Sequence, residues 1–108
     1  MSLGTEQEAF AKSVVSLLSH AFNLGYQVRL GEAFRTPEQQ AIYVKAGRSK
    51  TMNSNHLRKC AIDLHFTKDG VLCYPQELGD YWERLHPKNS WGGNWKSFKD
   101  KPHFERKP

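Results

Sequence analysis

SNHLRKCAIDLH, Ser54 to His65, is the stretch from which the fold is read. From Cys60 to Phe66 the residues alternate as a strand does. Cys60, Ile62, Leu64 and Phe66 share one face, and Ala61, Asp63 and His65 share the other. An aspartate within such an apolar run needs a hydrogen-bond partner, an opposite charge or a cation, because burying it bare is costly. His56, where the chain enters the strand, is placed to close on the same cation. A third ligand must come from elsewhere. The segment DKPHFE, Asp100 to Glu105, offers one in His103.

Downstream of the strand, TKDG (Thr67–Gly70) reads as a turn, with Val71 to Tyr74 returning antiparallel. That hairpin puts Cys73 opposite the region of Phe66, far from Cys60, so two free thiols in a reducing compartment are expected. Pro75 to about His86 reads as a helix with Leu78, Tyr81, Trp82 and Leu85 facing the core and Gly79 weakening it. WGGNWKSFKD, Trp91 to Asp100, reads as a loop, and Lys101 to Glu105 as a last short strand. On that strand His103 and Glu105 share a face and Phe104 points into the core.

Upstream, Thr5 and Glu8 form a capping-box pattern ahead of a helix whose apolar residues Phe10, Val14, Leu17, Leu18, Ala21 and Leu24 follow the helical period to Gly25. Tyr26, Val28 and Leu30 alternate with polar neighbours, predicting a half-buried strand through about Phe34. Thr36, Pro37 and Gln39 open a second helix that Gly47 closes, leaving Arg35 at a strand–helix junction. Arg48 to Asn55 is a polar loop. The economical arrangement is α+β: three or four mostly antiparallel strands with helices against them, and residues 1–108 as one domain.

The 108 residues leave room for one modest core. The formal net charge of +5 points to an anionic partner without choosing among nucleic acid, lipid and wall polymer. No recognition helix or aromatic-basic motif supports nucleic acid, and no apolar stretch reaches membrane-spanning length, so neither nucleic-acid binding nor membrane insertion is expected. The first residues, MSLGTEQEAF, lack the pattern of a signal peptide, so synthesis and retention in the cytoplasm, as a monomer, are the expectation.

Two imidazoles and a carboxylate, with a fourth position left for water, suit a catalytic zinc ion. His56, Asp63 and His103 would supply that set. A general base is then needed, and Asp100 and Glu105, both flanking His103, are equal candidates. Arg35 could orient a substrate carboxylate or stabilise an oxyanion.

SNHLRKCAID resembles the S-x-H-x-x-x-x-A-x-D pattern of the D-alanyl-D-alanine carboxypeptidase and L-alanyl-D-glutamate endopeptidase family of zinc peptidases. WGGNWKSFKDKPHFE resembles that family's W-G-G and D-x-x-H-F-E segments, and FRTPEQQ its upstream arginine element. The three come in the family's order and extend from about Phe34 to Glu105. The resemblance implies a hedgehog-like fold, with His56, Asp63 and His103 as zinc ligands. It implies Asp100 as base, Arg35 at the substrate or transition-state oxygen, Ser54 beside the substrate, Trp91 in the cleft wall and Glu105 supporting an imidazole. Lys59 stands where many members have glycine, and His65 has no counterpart. The implied activity is hydrolysis of a peptidoglycan stem-peptide bond, L-alanyl-D-glutamate in the first place, by a phage or prophage endolysin that reaches the wall once a holin opens the membrane. A D-alanyl-D-alanine carboxypeptidase or dipeptidase, or a zinc-stabilised module without turnover, are the alternatives.

Overall fold

The computed structural model describes residues 2–108. In chain order the elements are α1 (Leu3–Asn23), β1 (Gln27–Leu30), α2 (Pro37–Lys45), β2 (Ala61–Lys68), β3 (Val71–Cys73), α3 (Gln76–Leu85), β4 (Asn89–Trp91) and β5 (His103–Arg106). Single 3-10 turns lie at Asn55–Arg58 and Gly92–Asn94. The architecture is α+β, as expected, but with five strands, all paired antiparallel.

β2 is the axis of the sheet. β1 runs along one of its edges from Leu30↔Leu64 to Gln27↔Thr67. Along the other edge β5 pairs with Ala61 to Asp63 and β3 with Phe66 to Lys68, and β4 adds itself outside β5. The hairpin turn has Asp69 and Gly70 both at positive φ (52° and 78°), the two-residue geometry that matches strand twist. It sets Cys73 against Phe66, as the sequence predicts, and both cysteines are free thiols.

One face of the sheet carries Leu64, Phe66 and Phe104 into a core completed by Phe10 and Leu17 of α1 and Leu78 and Trp82 of α3. The opposite face carries Asp63, His65, His103 and Glu105, and Arg35, ahead of α2, gathers over it with Gln40 and Tyr43 of α2. Core and chemistry are therefore separated by the period-2 alternation of two strands.

Three local expectations are corrected. The cap of α1 is Ser2, whose Oγ accepts from Thr5 N, so the helix starts a turn before the Thr5–Glu8 pair. β1 ends at Leu30, which is 70% exposed, because only Val28, with Tyr26 just before the strand, reaches the helix-covered core. The segment after α3 is not all loop: Asn89–Trp91 pairs with β5. Gly79 has a use that helix propensity hides. A Cβ there would lie 2.0 Å from the Trp91 ring, so the glycine is the seat on which that indole packs.

Candidate metal centre

Asp63 and His103 are directly opposed on β2 and β5. Both backbone polar groups of Asp63 are committed to the other edge, to Gly31 N and Glu32 O, so Asp63 and His103 form a non-hydrogen-bonded pair. That is the pair type whose side chains approach most closely. His56 arrives from the 3-10 turn at Asn55–Arg58, which Ser54 caps by accepting from His56 N at 3.2 Å. The turn ends at Lys59 in the left-handed region (φ 58°), after which the chain enters β2. This accounts for the glycine that the family pattern favours at that position: a side chain there costs roughly 1 kcal/mol. Lys59 lays its Nζ 5.2 Å from the Phe34 ring centroid.

His56 Nδ1 lies 2.9 Å from the Ala33 carbonyl and therefore donates to it, which leaves the Nε2 lone pair facing inward. His103 Nε2 donates to Glu105 Oε1 at 2.7 Å, which leaves the Nδ1 lone pair facing inward. The two inward nitrogens are 3.2 Å apart. Asp63 Oδ1, buried and without a hydrogen-bond partner, stands 3.4 Å from the first and 3.7 Å from the second. Three electron-rich atoms converging in this way call for a cation between them. Ligands of a tetrahedral zinc ion, with bonds of about 2.0–2.1 Å, stand about 3.3 Å from one another. The residues fit that ion in type, number and separation.

The electrostatics agree. Burial disfavours charge on Asp63 and on His103. For Asp63 the neighbouring imidazoles of His103 and His56 outweigh it and hold the carboxyl well below the usual range. For His103 the carboxylates of Asp63 and Glu105 outweigh it and lift the imidazole to about 9. The centre attracts positive charge, whether a proton or a metal.

Asp100 is the remaining carboxylate on the open side. Its Oδ2 is 3.9 Å from His103 Nδ1 and its side chain is 48% exposed. Loss of hydration on partial burial raises its pKa, which makes it a better proton acceptor. Its backbone N donates to Gly92 O and its carbonyl accepts from His103 N, each at 3.0 Å. Gly92 is required there, since a Cβ would lie 2.1 Å from Asp100 O. Glu105 is enclosed: Oε1 meets His103 and Oε2 accepts from Asn55 Nδ2 at 2.9 Å.

Arg35 enters the same cleft, of about 730 Å³, together with Ser54. Its Nε is paired with Glu32, and its Nη1 donates to Gln40 Oε1 at 2.7 Å. Trp91 is corrected. It is 3% exposed, stacked on Phe104 with its Nε1 donating to Lys101 O, and belongs to the core beneath the site. The tryptophan that lines the cleft is Trp95, with its ring centroid 5.1 Å from that of His103. His65 also faces the cleft, with Nδ1 2.8 Å from Tyr74 Oη, outside the ligand set. Sequence reading missed Glu32, Gln40 and Asn55. Gln40 had a readable signal, a polar residue where α2 turns inward; it is fully buried and holds Arg35 on one side and Ser49 and Thr51 on the other.

Comparison with known proteins places these residues in context. Residues 47–106 match the family described as D-alanyl-D-alanine carboxypeptidase. The chain is 34% identical over 94 residues to the L-alanyl-D-glutamate peptidase of Listeria phage A118, covering 82% of this chain but 34% of that protein. It is 32% identical over 114 residues to the peptidoglycan L-alanyl-D-glutamate endopeptidase CwlK of Bacillus subtilis (strain 168), covering 86% and 68% respectively. The chain thus spans about a third of the phage relative and about two thirds of the Bacillus one. Among solved structures, the Serratia marcescens L-Ala D-Glu endopeptidase ChiX matches with a TM-score of 0.66 at 27% identity, covering 86% of this chain and 77% of that one.

Proposed function

The chain belongs to the D-alanyl-D-alanine carboxypeptidase family, and on that premise we propose that it is a zinc peptidase that hydrolyses the L-alanyl-D-glutamate bond of the peptidoglycan stem peptide. The observation that carries the reading is the convergence of His56 Nε2, His103 Nδ1 and Asp63 Oδ1 on one point, with Asp100 beside it and the cleft open above. The choice of bond is supported by the names of the relatives, and the family description supports D-alanyl-D-alanine as the rival.

His56, Asp63 and His103 would hold the zinc ion, which when bound would supply a Lewis acid for the scissile carbonyl and a lowered pKa for a water molecule. Ala33 O and Glu105 fix the two imidazole tautomers, so both ligand nitrogens are presented without rearrangement. Asp100 takes the proton of the water as it attacks and returns it to the departing amine. Arg35, locked by Glu32 and Gln40, keeps an Nη2 free of protein partners among the described residues for the developing oxyanion. Ser54 acts first as the cap that orients His56. Trp95 forms a wall of the cleft. No helix among the described residues is long and apolar enough to cross a membrane, and we place the action of the protein at the wall, in keeping with the similarity to a phage peptidase.

Metal analysis of purified protein is expected to give about one zinc per chain, and His103→Ala is expected to lose metal and activity together. Digested sacculi are expected to carry new D-glutamate amino termini. Full zinc occupancy in His103→Ala would remove the ligand assignment, and released D-alanine without new D-glutamate termini would replace the endopeptidase reading by the carboxypeptidase one.

A further inference from the structure

Two guanidiniums lie against the ring of Tyr43, Arg35 with its Cζ 4.7 Å from the centroid and Arg48 at 4.6 Å. They are not equivalent. Arg35 is neutralised by Glu32, gives Nη1 to Gln40, and is largely enclosed. Arg48 has its backbone N tied to Tyr43 O at 2.8 Å, is exposed, and among the described residues gives its guanidinium to no carboxylate and no carbonyl. Tyr43 itself is anchored at Oη to Glu32 Oε2, 3.3 Å away. The ring therefore holds the Arg48 guanidinium in place while its hydrogen-bonding edges stay unspent. One carboxylate balances two guanidiniums, so a positive charge remains, and both arginines line the cleft that contains the metal centre. A planar cation held by stacking, with its fork free, is the arrangement that recognises a carboxylate bidentately.

We propose that Arg48 is a specificity-determining residue that binds a free carboxylate on the substrate residue following the scissile bond. The assignment rests on the peptidase reading above: in an L-alanyl-D-glutamate bond joined onward through the γ-carboxyl, the carbon attached to the scissile nitrogen carries such a carboxylate. Arg35 cannot serve both purposes, because its Nε and Nη1 are already engaged and its free nitrogen, Nη2, is needed at the oxyanion. The enzyme is therefore expected to prefer a glutamate with that carboxylate free over one in which it has become a carboxamide. The amide offers no charge and only one acceptor to the fork.

The test uses the zinc-loaded protein and two synthetic stem peptides, identical except for carboxylate or carboxamide at that carbon. kcat and KM are measured by cleavage, and affinity by calorimetry on the Asp100→Asn variant, alone and combined with each Arg48 change. Wild type is expected to favour the carboxylate peptide about ten- to hundredfold, the size of a charge-assisted contact. Arg48→Gln should abolish that preference by raising KM for the carboxylate peptide with kcat retained, leaving the carboxamide peptide unchanged. Arg48→Lys should keep part of it. Equal losses on both peptides would make Arg48 a structural residue, and an undiminished preference in Arg48→Gln would place the carboxylate elsewhere; either overturns the proposal. Failure of the wild type to cut either peptide, with a calorimetric preference that Arg48→Gln removes, would overturn the peptidase reading and leave the Arg48 site standing.

Discussion

Glu105 spends both of its oxygens inside the protein, on His103 and Asn55, whereas Asp100 turns Oδ2 towards the open side of the ligand set. Asp100→Asn is accordingly expected to lose about 10²–10⁴-fold in kcat with zinc content unchanged, the usual worth of a positioned base. Glu105→Gln is expected to weaken zinc binding about 10–100-fold, with turnover largely restored by excess metal. Zinc titration and kcat for the two variants decide it, and a near-normal rate in Asp100→Asn would exchange their duties. At this scale much was legible. His56, Asp63 and His103 are ligand types in a strand-period pattern, and a strand shows its faces in sequence. Glu105, which supports His103, was legible as well, and Gln40 left a signal; Ala33, which contributes only a carbonyl, and Glu32 and Asn55, which act through partners that the fold alone brings near, were not.

Between elements, the decisive contacts are made by glycines. Gly92 lets β4 and its 3-10 turn pass against the backbone of Asp100, and backbone against backbone cannot give way. Gly92→Ala is therefore expected to shift Asp100 and lower kcat on the order of 10²-fold, the cost of roughly 1 Å of misplacement. Gly79→Ala drives a methyl into the Trp91 ring within the core. That change should cost about 1–3 kcal/mol of stability in denaturant unfolding while the folded fraction keeps its specific activity. Equal effects of the two changes on kcat would show that the Gly92 contact does not aim Asp100. Helix periods and turn chemistry announced α1, α2, α3 and the β2–β3 hairpin. β4 stayed hidden because three residues with one bulky apolar side chain carry no period, and its pairing with β5 is the only thing that makes it a strand.

At the scale of the molecule, Glu6 of α1 is buried against Arg106 at the end of β5 and meets Lys88 at 2.8 Å, joining positions 100 residues apart. The hydrogen bonds from Lys88 and then Arg106 hold its carboxyl down at about 2, from an ordinary 4.5. A carboxylate depressed on folding stabilises the protein above its unfolded pKa. That stability is lost as the pH falls through the folded value, here between about 4.5 and about 2. Urea unfolding across a pH series is expected to show wild type well above Glu6→Gln at neutral pH and the gap closing through that window. A gap independent of pH would mean that shape, not charge, sets the contribution of Glu6. The separation of faces on β2 and β5 gave the overall plan away in sequence; this clasp between chain ends did not, since an isolated glutamate in the first turn of a helix reads as a dipole partner and nothing more.

The same clasp has a topological consequence. Leu3 and Pro108 line one small cavity with Glu6 and Lys88, so the start of α1 and the residues after β5 lie side by side. A short linker joining Pro108 to Leu3, with a fresh opening at the exposed Asp69–Gly70 turn, would reorder these elements along the chain while His56 keeps its turn and Asp63 and His103 their strands.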